Sequence, residues 1–276
     1  MHNVEANGAS IPALGLGTWT LKGEDCEKIV RHALSLGYRH IDTAAMYRNE
    51  DAVGAALRAA GVARDDVFVT TKVWWTDLAA TDLRCSTEAS LSRLGLDAVD
   101  LLLIHWPNPA IPLEETISAL NRVREAGLAR HIGVSNFPTA LLKHAICLSD
   151  APLVVNQVEH HPYLDQNRVR AVCDDAGMAL VGYCPLYRGG DLLDEPAVTR
   201  ATEAHGKTPG QVVLRWHVQQ EKTIAIPRTT RQERLAENID IFDFALSDAQ
   251  MAAISALGAA GRRLCDYDFS PQWDAA

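Results

Sequence analysis

The chain has 276 residues, 47% hydrophobic and 22% charged, and 26 basic against 35 acidic side chains give a formal net charge of −9. This is ordinary globular composition at the length of a single α/β barrel, so one domain spanning 1–276 is expected. An acidic chain without a Lys/Arg run argues against nucleic-acid and anionic-membrane partners, and the opening MHNVEANGAS lacks the regions of a secretory leader, so a cytoplasmic protein is expected.

In chain order, residues 2–17 read as a hairpin with Asn7-Gly8 as its turn. The stretch GEDCEKIVRHALSLG then places Ile29, Val30, Ala33 and either Leu34 or Leu36 on one helical face. A rhythm follows in which a helix-period stretch stops at a glycine and a β-rich run comes soon after. The stops are Gly37, Gly61, Gly95, Gly127 and Gly177. The runs after them are YRHID (38–42), VFVTT (67–71), VDLLLIH (99–105), HIGVS (131–135) and ALVGY (179–183). VVNQVE (154–159), TIAIP (223–227) and NIDIF (238–242) bring the strands to eight. Between them, PLEETISALNRVREAG sets Ile117, Leu120 and either Val123 or Arg124 on one face. Thr208-Pro209 reads as an N-cap followed by proline, and Ser247 with Gln250 as a capping box.

Near-continuous apolar strands separated by helices read as parallel strands buried on both faces. Eight of them at this length predict a closed (β/α)8 TIM barrel, with the N-terminal hairpin across its bottom. An open doubly wound sheet would need a dinucleotide fingerprint. Gly15-Leu16-Gly17 is only a partial one, with Thr20 in place of the third glycine.

Three of the apolar runs stop at an ionisable residue. Asp42, Lys72 and His105 end the first, second and third predicted strands, and Tyr47 lies in the first loop. A barrel brings strand ends to one mouth, so these four are expected to meet as an acid–base site. Singly, each has a plain structural reading: a cap, a half-buried aromatic, a rim lysine, a core histidine. The six cysteines show no CxxC, and Cys26, Cys147, Cys173 and Cys184 read as small apolar core residues. His160-His161-Pro162 has no spaced carboxylate or cysteine partner, so no metal site is expected.

The pieces LGLGTW (14–19), GYRHIDTAAMYRNE (37–50), TTKVW (70–74), LLLIHWP (101–107), GVSNF (133–137), NQVE (156–159), GYCPL (182–186) and IPRTTRQERLAEN (226–238) occur together in order. With them the chain resembles the aldo-keto reductase family. Its compact length and closing Trp273-Asp274 are similar to the bacterial 2,5-diketo-D-gluconate reductases of the B type. The resemblance implies a catalytic tetrad with Tyr47 as general acid, Lys72 lowering the phenol's pKa, Asp42 holding Lys72 and His105 orienting the carbonyl. It further implies that Ser135, Asn136 and Gln157 hold a nicotinamide carboxamide and that Tyr183 stacks on the ring. Pro185, Leu186 and Gly189 would line the pyrophosphate loop, where Arg188 stands one place before the family's usual lysine. Arg228, Thr229 and Arg234 would hold a 2′-phosphate, and Glu237 and Asn238 the adenine. Arg228-Thr229 replaces the family's commoner Lys-Ser, so NADPH is expected with NADH use left open.

Trp19, Trp74, Trp106 and Trp273, with Trp75 and Tyr267, are the substrate-pocket candidates. They suit a small-molecule carbonyl such as an α-dicarbonyl like methylglyoxal, a keto ester or a diketo sugar acid, reduced by a monomer. Two other readings compete: a Schiff-base lyase or aldolase using Lys72, and a non-catalytic nicotinamide-binding barrel.

Overall fold

The computed structural model describes residues 1–274. Asn7 and Gly8 both take left-handed backbone (φ 46° and 86°) and turn β1 (Asn3–Ala6) into β2 (Ala9–Pro12). The Asn7 amide donates to the carbonyls of Leu153 (2.8 Å) and Ala176 (2.9 Å), which fastens the hairpin across the amino ends of two barrel strands. The hairpin is shorter than the predicted 2–17, because Leu16–Gly17 has left it to become a strand of the barrel, β3.

The barrel sheet is parallel and runs in chain order. After β3 come β4 (His40–Asp42), β5 (Phe68–Val73), β6 (Val99–Ile104), β7 (Ala129–Ser135), β8 (Leu153–Glu159), β9 (Ala179–Tyr183) and β10 (Thr223–Ala225). It closes on itself: Gly15 N donates to Ala225 O (2.9 Å), Ala225 N to Ala13 O (3.0 Å) and Gly17 N to Pro227 O (3.0 Å). Eight strands are therefore present, with one substitution. Residues 238–242 are not a strand; they end helix α9 (Gln232–Ile239) and the turn after it. Short apolar runs suit either element, and here helical spacing buries Leu235 and Asn238 together. The predicted strands one, two and three are thus the second, third and fourth of the barrel.

Outer helices complete the layers: α1 (Gly23–Ser35), α2 (Glu50–Ala59), α3 (Ala80–Leu94), α4 (Leu113–Glu125), α5 (Thr139–Leu148), α6 (Asn167–Asp175), α7 (Pro196–His205), α8 (Pro209–Val218) and α10 (Asp248–Ser255). Leu34 and Val123, rather than Leu36 and Arg124, complete the buried faces of α1 and α4. The five predicted glycine stops all turn left-handed, with φ from 67° to 100°. The expected N-cap at Thr208 forms, as a capping box with Gln211, and so does the expected capping box of Ser247 and Gln250. Cys26 and Cys173 are buried as expected, but Cys147 lies on the solvent face of α5.

Candidate active site

Asp42 is the last residue of β4, and Lys72 is next to last in β5; both point into the barrel. Lys72 Nζ donates to Asp42 Oδ1 (2.6 Å) and to Thr43 O (2.9 Å). Gln157, across the barrel on β8, donates from Nε2 to the other Asp42 oxygen (2.7 Å). His105 directly follows β6 and is nearly buried. Tyr47 ends a short 3-10 turn in the loop from β4 to α2 and is half-buried. Its ring lies 5.1 Å from Lys72 Nζ and meets the His105 ring edge-on at 5.5 Å. The four residues predicted from three separate segments thus form one cluster.

The Tyr47 loop is held in place from below. Arg48 takes left-handed backbone (φ 52°) to turn the chain. Asn49, fully buried, accepts from Thr43 Oγ1 (2.8 Å) and donates to Thr18 O and Leu21 O (2.9 Å each). Lys22 Nζ donates to Tyr47 O.

The electrostatics differ from expectation at Tyr47. Lys72 was expected to lower the phenol; instead burial, with the Asp42 carboxylate second, pushes it well above its ordinary 10.0. The ammonium is already matched by Asp42, so the pair offers the phenol little net positive charge. Tyr47 is held protonated. Burial also pushes Lys72 below its ordinary 10.5, against the pull of Asp42 and Glu50. His105 is driven well below 6.5 by burial and by Lys72, so its imidazole is neutral. A neutral imidazole orients an oxygen by hydrogen bonding rather than by charge.

Ser135, Asn136 and Gln157 are buried at the ends of β7 and β8. Asn136 takes left-handed backbone (φ 64°) and donates to His105 O (3.0 Å) and Ser135 Oγ (3.1 Å). Its oxygen accepts from Tyr183 Oη (2.8 Å), and Ser135 Oγ donates to Gln157 O (2.8 Å). The predicted carboxamide holders are therefore one hydrogen-bonded group wired to His105 and Asp42. Past β9, the Pro185 carbonyl faces His217 Nε2 (3.1 Å) and Leu186 is half-buried. Tyr187, Arg188 and Gly189 then take left-handed backbone in succession (φ 51°, 56° and 79°), and the place of a Gly189 Cβ is open space. Non-glycine residues adopt that conformation at a cost, which marks this loop as a functional candidate.

Beyond β10, Arg228 is exposed and has no carboxylate partner among the described residues, with Thr229 half-buried beside it. Arg234 is engaged by both oxygens of Glu237 (2.7 and 2.8 Å), which also accepts from Thr208 Oγ1 (2.6 Å). Asn238 is buried next to them on α9. Among the described residues no group of three or more His, Cys, Asp or Glu is placed to hold a metal ion, and no helix is long and apolar enough to cross a membrane.

The C-terminal tail crosses the mouth and brings a residue that the sequence reading passed over. Phe269 stacks on Trp75 (5.3 Å) and Tyr267 (5.3 Å) and meets Trp74 (5.6 Å) and Trp106 (5.4 Å) edge-on. Trp74 in turn touches His105 edge-on at 5.1 Å. Trp273 packs against Trp106 at 6.0 Å under the Arg263 guanidinium. Trp19 stands apart from these rings, more than a third exposed, with Arg188 over its face.

Two carboxylates fasten the tail. Glu159, fully buried at the end of β8, accepts from Leu264 N (2.6 Å), Cys265 N (2.7 Å) and His161 Nε2 (2.8 Å). Asp274 accepts from Thr139 N (2.9 Å) and Thr139 Oγ1 (2.6 Å) at the start of α5. Glu159 carries the same signal as Asp42, an apolar run stopping at an ionisable residue.

The pattern of the aldo/keto reductase family matches residues 13–259. An aldo-keto reductase of Mycolicibacterium smegmatis is 44% identical over 94% of this chain and 93% of its own length. The glyoxal reductase of Bacillus subtilis is 41% identical over 91% of this chain and 90% of its own. The crystal structure of a protein provisionally identified as a 2,5-diketo-D-gluconic acid reductase B superposes with a TM-score of 0.96. It is 47% identical and covers 100% of this chain and 98% of its own. A Bombyx mori aldo-keto reductase in complex with NADP gives a TM-score of 0.89 at 35% identity, over 96% and 95% of the two chains. This chain belongs to the aldo/keto reductase family and is an oxidoreductase of that class.

Proposed function

We propose that the enzyme reduces small aldehydes and ketones with NADPH, Tyr47 giving the proton. The observation that carries this reading is the meeting of a protonated phenol, a neutral imidazole and a buried Lys72–Asp42 pair at one barrel mouth. His105 orients the carbonyl oxygen toward Tyr47. As negative charge gathers on that oxygen, Tyr47 releases its proton to it, and the phenolate left behind faces the Lys72 ammonium. A reduced nicotinamide, when bound, supplies hydride to the carbonyl carbon.

The residues fit that cofactor. Ser135, Asn136 and Gln157 offer both donors and acceptors for a carboxamide, and the half-buried Tyr183 ring stands beside them. The open left-handed backbone at Gly189 suits a pyrophosphate. The exposed Arg228 guanidinium, without a carboxylate partner among the described residues, suits a 2′-phosphate together with Thr229. Arg234 would have to share Glu237 to join them, and Glu237 and Asn238 would face the adenine.

α-Dicarbonyls such as methylglyoxal, keto esters and diketo sugar acids suit an aromatic mouth, and the glyoxal reductase and the diketogluconate-reductase-like relative support the first and last. Lys72 as a Schiff-base nucleophile is disfavoured, because its nitrogen is buried and bonded to a carboxylate and a carbonyl. The reading also takes the enzyme to be a cytoplasmic monomer; light scattering in solution checks the second point. The test is NADPH and NADH consumption over a carbonyl panel, with Arg228→Ala alongside. NADPH is expected to be preferred, and the variant to lose about tenfold or more for NADPH with little change for NADH. An NADH preference in the natural enzyme would overturn the cofactor assignment, and no turnover with any carbonyl would overturn the reading.

A further inference from the structure

Glu50 is a buried carboxylate with no part in the steps above. It opens α2, three residues after Tyr47, and none of its side chain reaches solvent. A charge at that depth is stable only when paired and hydrogen-bonded. Its Oε1 accepts from Thr71 Oγ1, and its Oε2 accepts from Arg93 Nη2 (2.6 Å) and Arg93 Nε (2.8 Å) on α3. Arg93 also donates to Ser90 Oγ (3.0 Å), and 40% of its side chain is exposed.

Thr71 immediately precedes Lys72 on β5. Successive strand residues face opposite ways, so Lys72 enters the barrel while Thr71 faces the helices. The Glu50 carboxylate thus joins the loop that carries Tyr47 to the strand that carries Lys72. Close packing holds α2 in the same place. A Cβ on Gly54 would lie 2.3 Å from Leu94 O, so glycine is what lets α2 come this near the end of α3. Arg58 Nη1 donates to that same carbonyl (3.3 Å). Asn49 ties the loop on its other flank, through Thr18 O and Leu21 O. Between the two ties the Tyr47 ring is set 5.1 Å from Lys72 Nζ.

We propose that Glu50, acting through Thr71, is a positioning residue for proton donation, setting the Tyr47 hydroxyl against Lys72 and His105. This rests on the reading of Tyr47 as the proton donor. A reacting group displaced by about 1 Å can lose on the order of 100-fold in rate. The cofactor groups on β7, β8 and β9 are outside the tether, so its loss acts on the chemical step and leaves cofactor binding intact.

The test turns on two substitutions of opposite kind. Thr71→Val keeps the branched shape and removes the hydroxyl, whereas Thr71→Ser keeps the hydroxyl and removes the methyl. In NADPH-dependent carbonyl reduction, Thr71→Val should lower kcat about tenfold or more with NADPH affinity retained, and Thr71→Ser should stay within about twofold of the natural enzyme. A packing role alone would give the reverse order, since valine fills the site and serine leaves a gap. Thermal unfolding shows that each variant is folded at the assay temperature. Should Thr71→Val not fold, Arg93→Met is the milder lesion: it frees the outer end of the tether and should lower kcat in the same sense. In a Tyr47→Phe background, Thr71→Val should change the residual kcat by less than about twofold, because the tether acts through Tyr47. A folded Thr71→Val enzyme with the natural kcat, the reverse order of the two Thr71 variants, or a further tenfold loss on top of Tyr47→Phe would overturn the positioning role. Full turnover in Tyr47→Phe alone would instead overturn the reading of Tyr47 on which it rests.

Discussion

Lys72 Nζ lies 2.6 Å from the Asp42 carboxylate, and 0% of one side chain and 2% of the other reaches solvent. A pair this deep is held by mutual compensation, because either charge alone would be left in a medium that solvates it poorly. Gln157 and Thr43 O satisfy the remaining sites, so the pair is a fixed dipole on which the Tyr47 ring rests.

Removing one partner should therefore cost more than removing both. Lys72→Met is expected to lose about 3–5 kcal/mol in urea unfolding, and the Lys72→Met/Asp42→Asn double variant a smaller amount. Both should lose turnover. A single-variant loss within the ~1 kcal/mol of an exposed pair would show that Asp42 finds water.

Acid should unfold the protein before the carboxylates titrate. Burial lowers His40 from 6.5 to about 4 and His217 from 6.5 to about 3. His105 and His160 lie well below 6.5 for the same cause. A histidine depressed in the folded state binds more protons when unfolded, so its contribution is present above pH 6.5 and is lost as pH falls toward its folded value. A shift like that of His40 is on the order of 3 kcal/mol. Urea midpoints should drop steeply from pH 7 to pH 5, and His217→Gln should flatten that slope. A midpoint constant over this range would contradict neutral burial.

The tail should open when Glu159 loses its charge. Glu159→Gln weakens bonds to Leu264 N, Cys265 N and His161, each charge-assisted in the natural chain. A loss of about 1.5–3 kcal/mol in local closure is expected. Trypsin cleavage after Arg262 and Arg263 should rise by about tenfold or more, since cutting follows the open population. An unchanged cleavage rate would mean that Asp274 and the aromatic rings alone hold the segment.

Asp42, Lys72 and His105 were legible because barrel strands end in the site, so an ionisable residue closing an apolar run is out of place unless it has work to do. The missed strand, Leu16–Gly17, is two residues long, follows Gly15 and gives no periodic signal. NIDIF misled because five residues of alternating polarity suit a helix end as well as a strand. Phe269 was invisible for another reason: its partners Trp74, Trp75 and Trp106 lie over 160 positions away in the chain, and only the fold brings them together. The direction of the Tyr47 shift was likewise unreadable. It depends on how completely Asp42 cancels Lys72 and on how dry the mouth is, and neither is written in residue spacing.

The proposed role of Tyr47 as proton donor is tested most directly by Tyr47→Phe, assayed for carbonyl-dependent NADPH oxidation and separately for cofactor binding by fluorescence quenching. Loss of one hydroxyl should lower kcat by about 10²–10⁴-fold, the range for a positioned general acid, with cofactor affinity retained. Turnover near that of the natural enzyme would contradict the account.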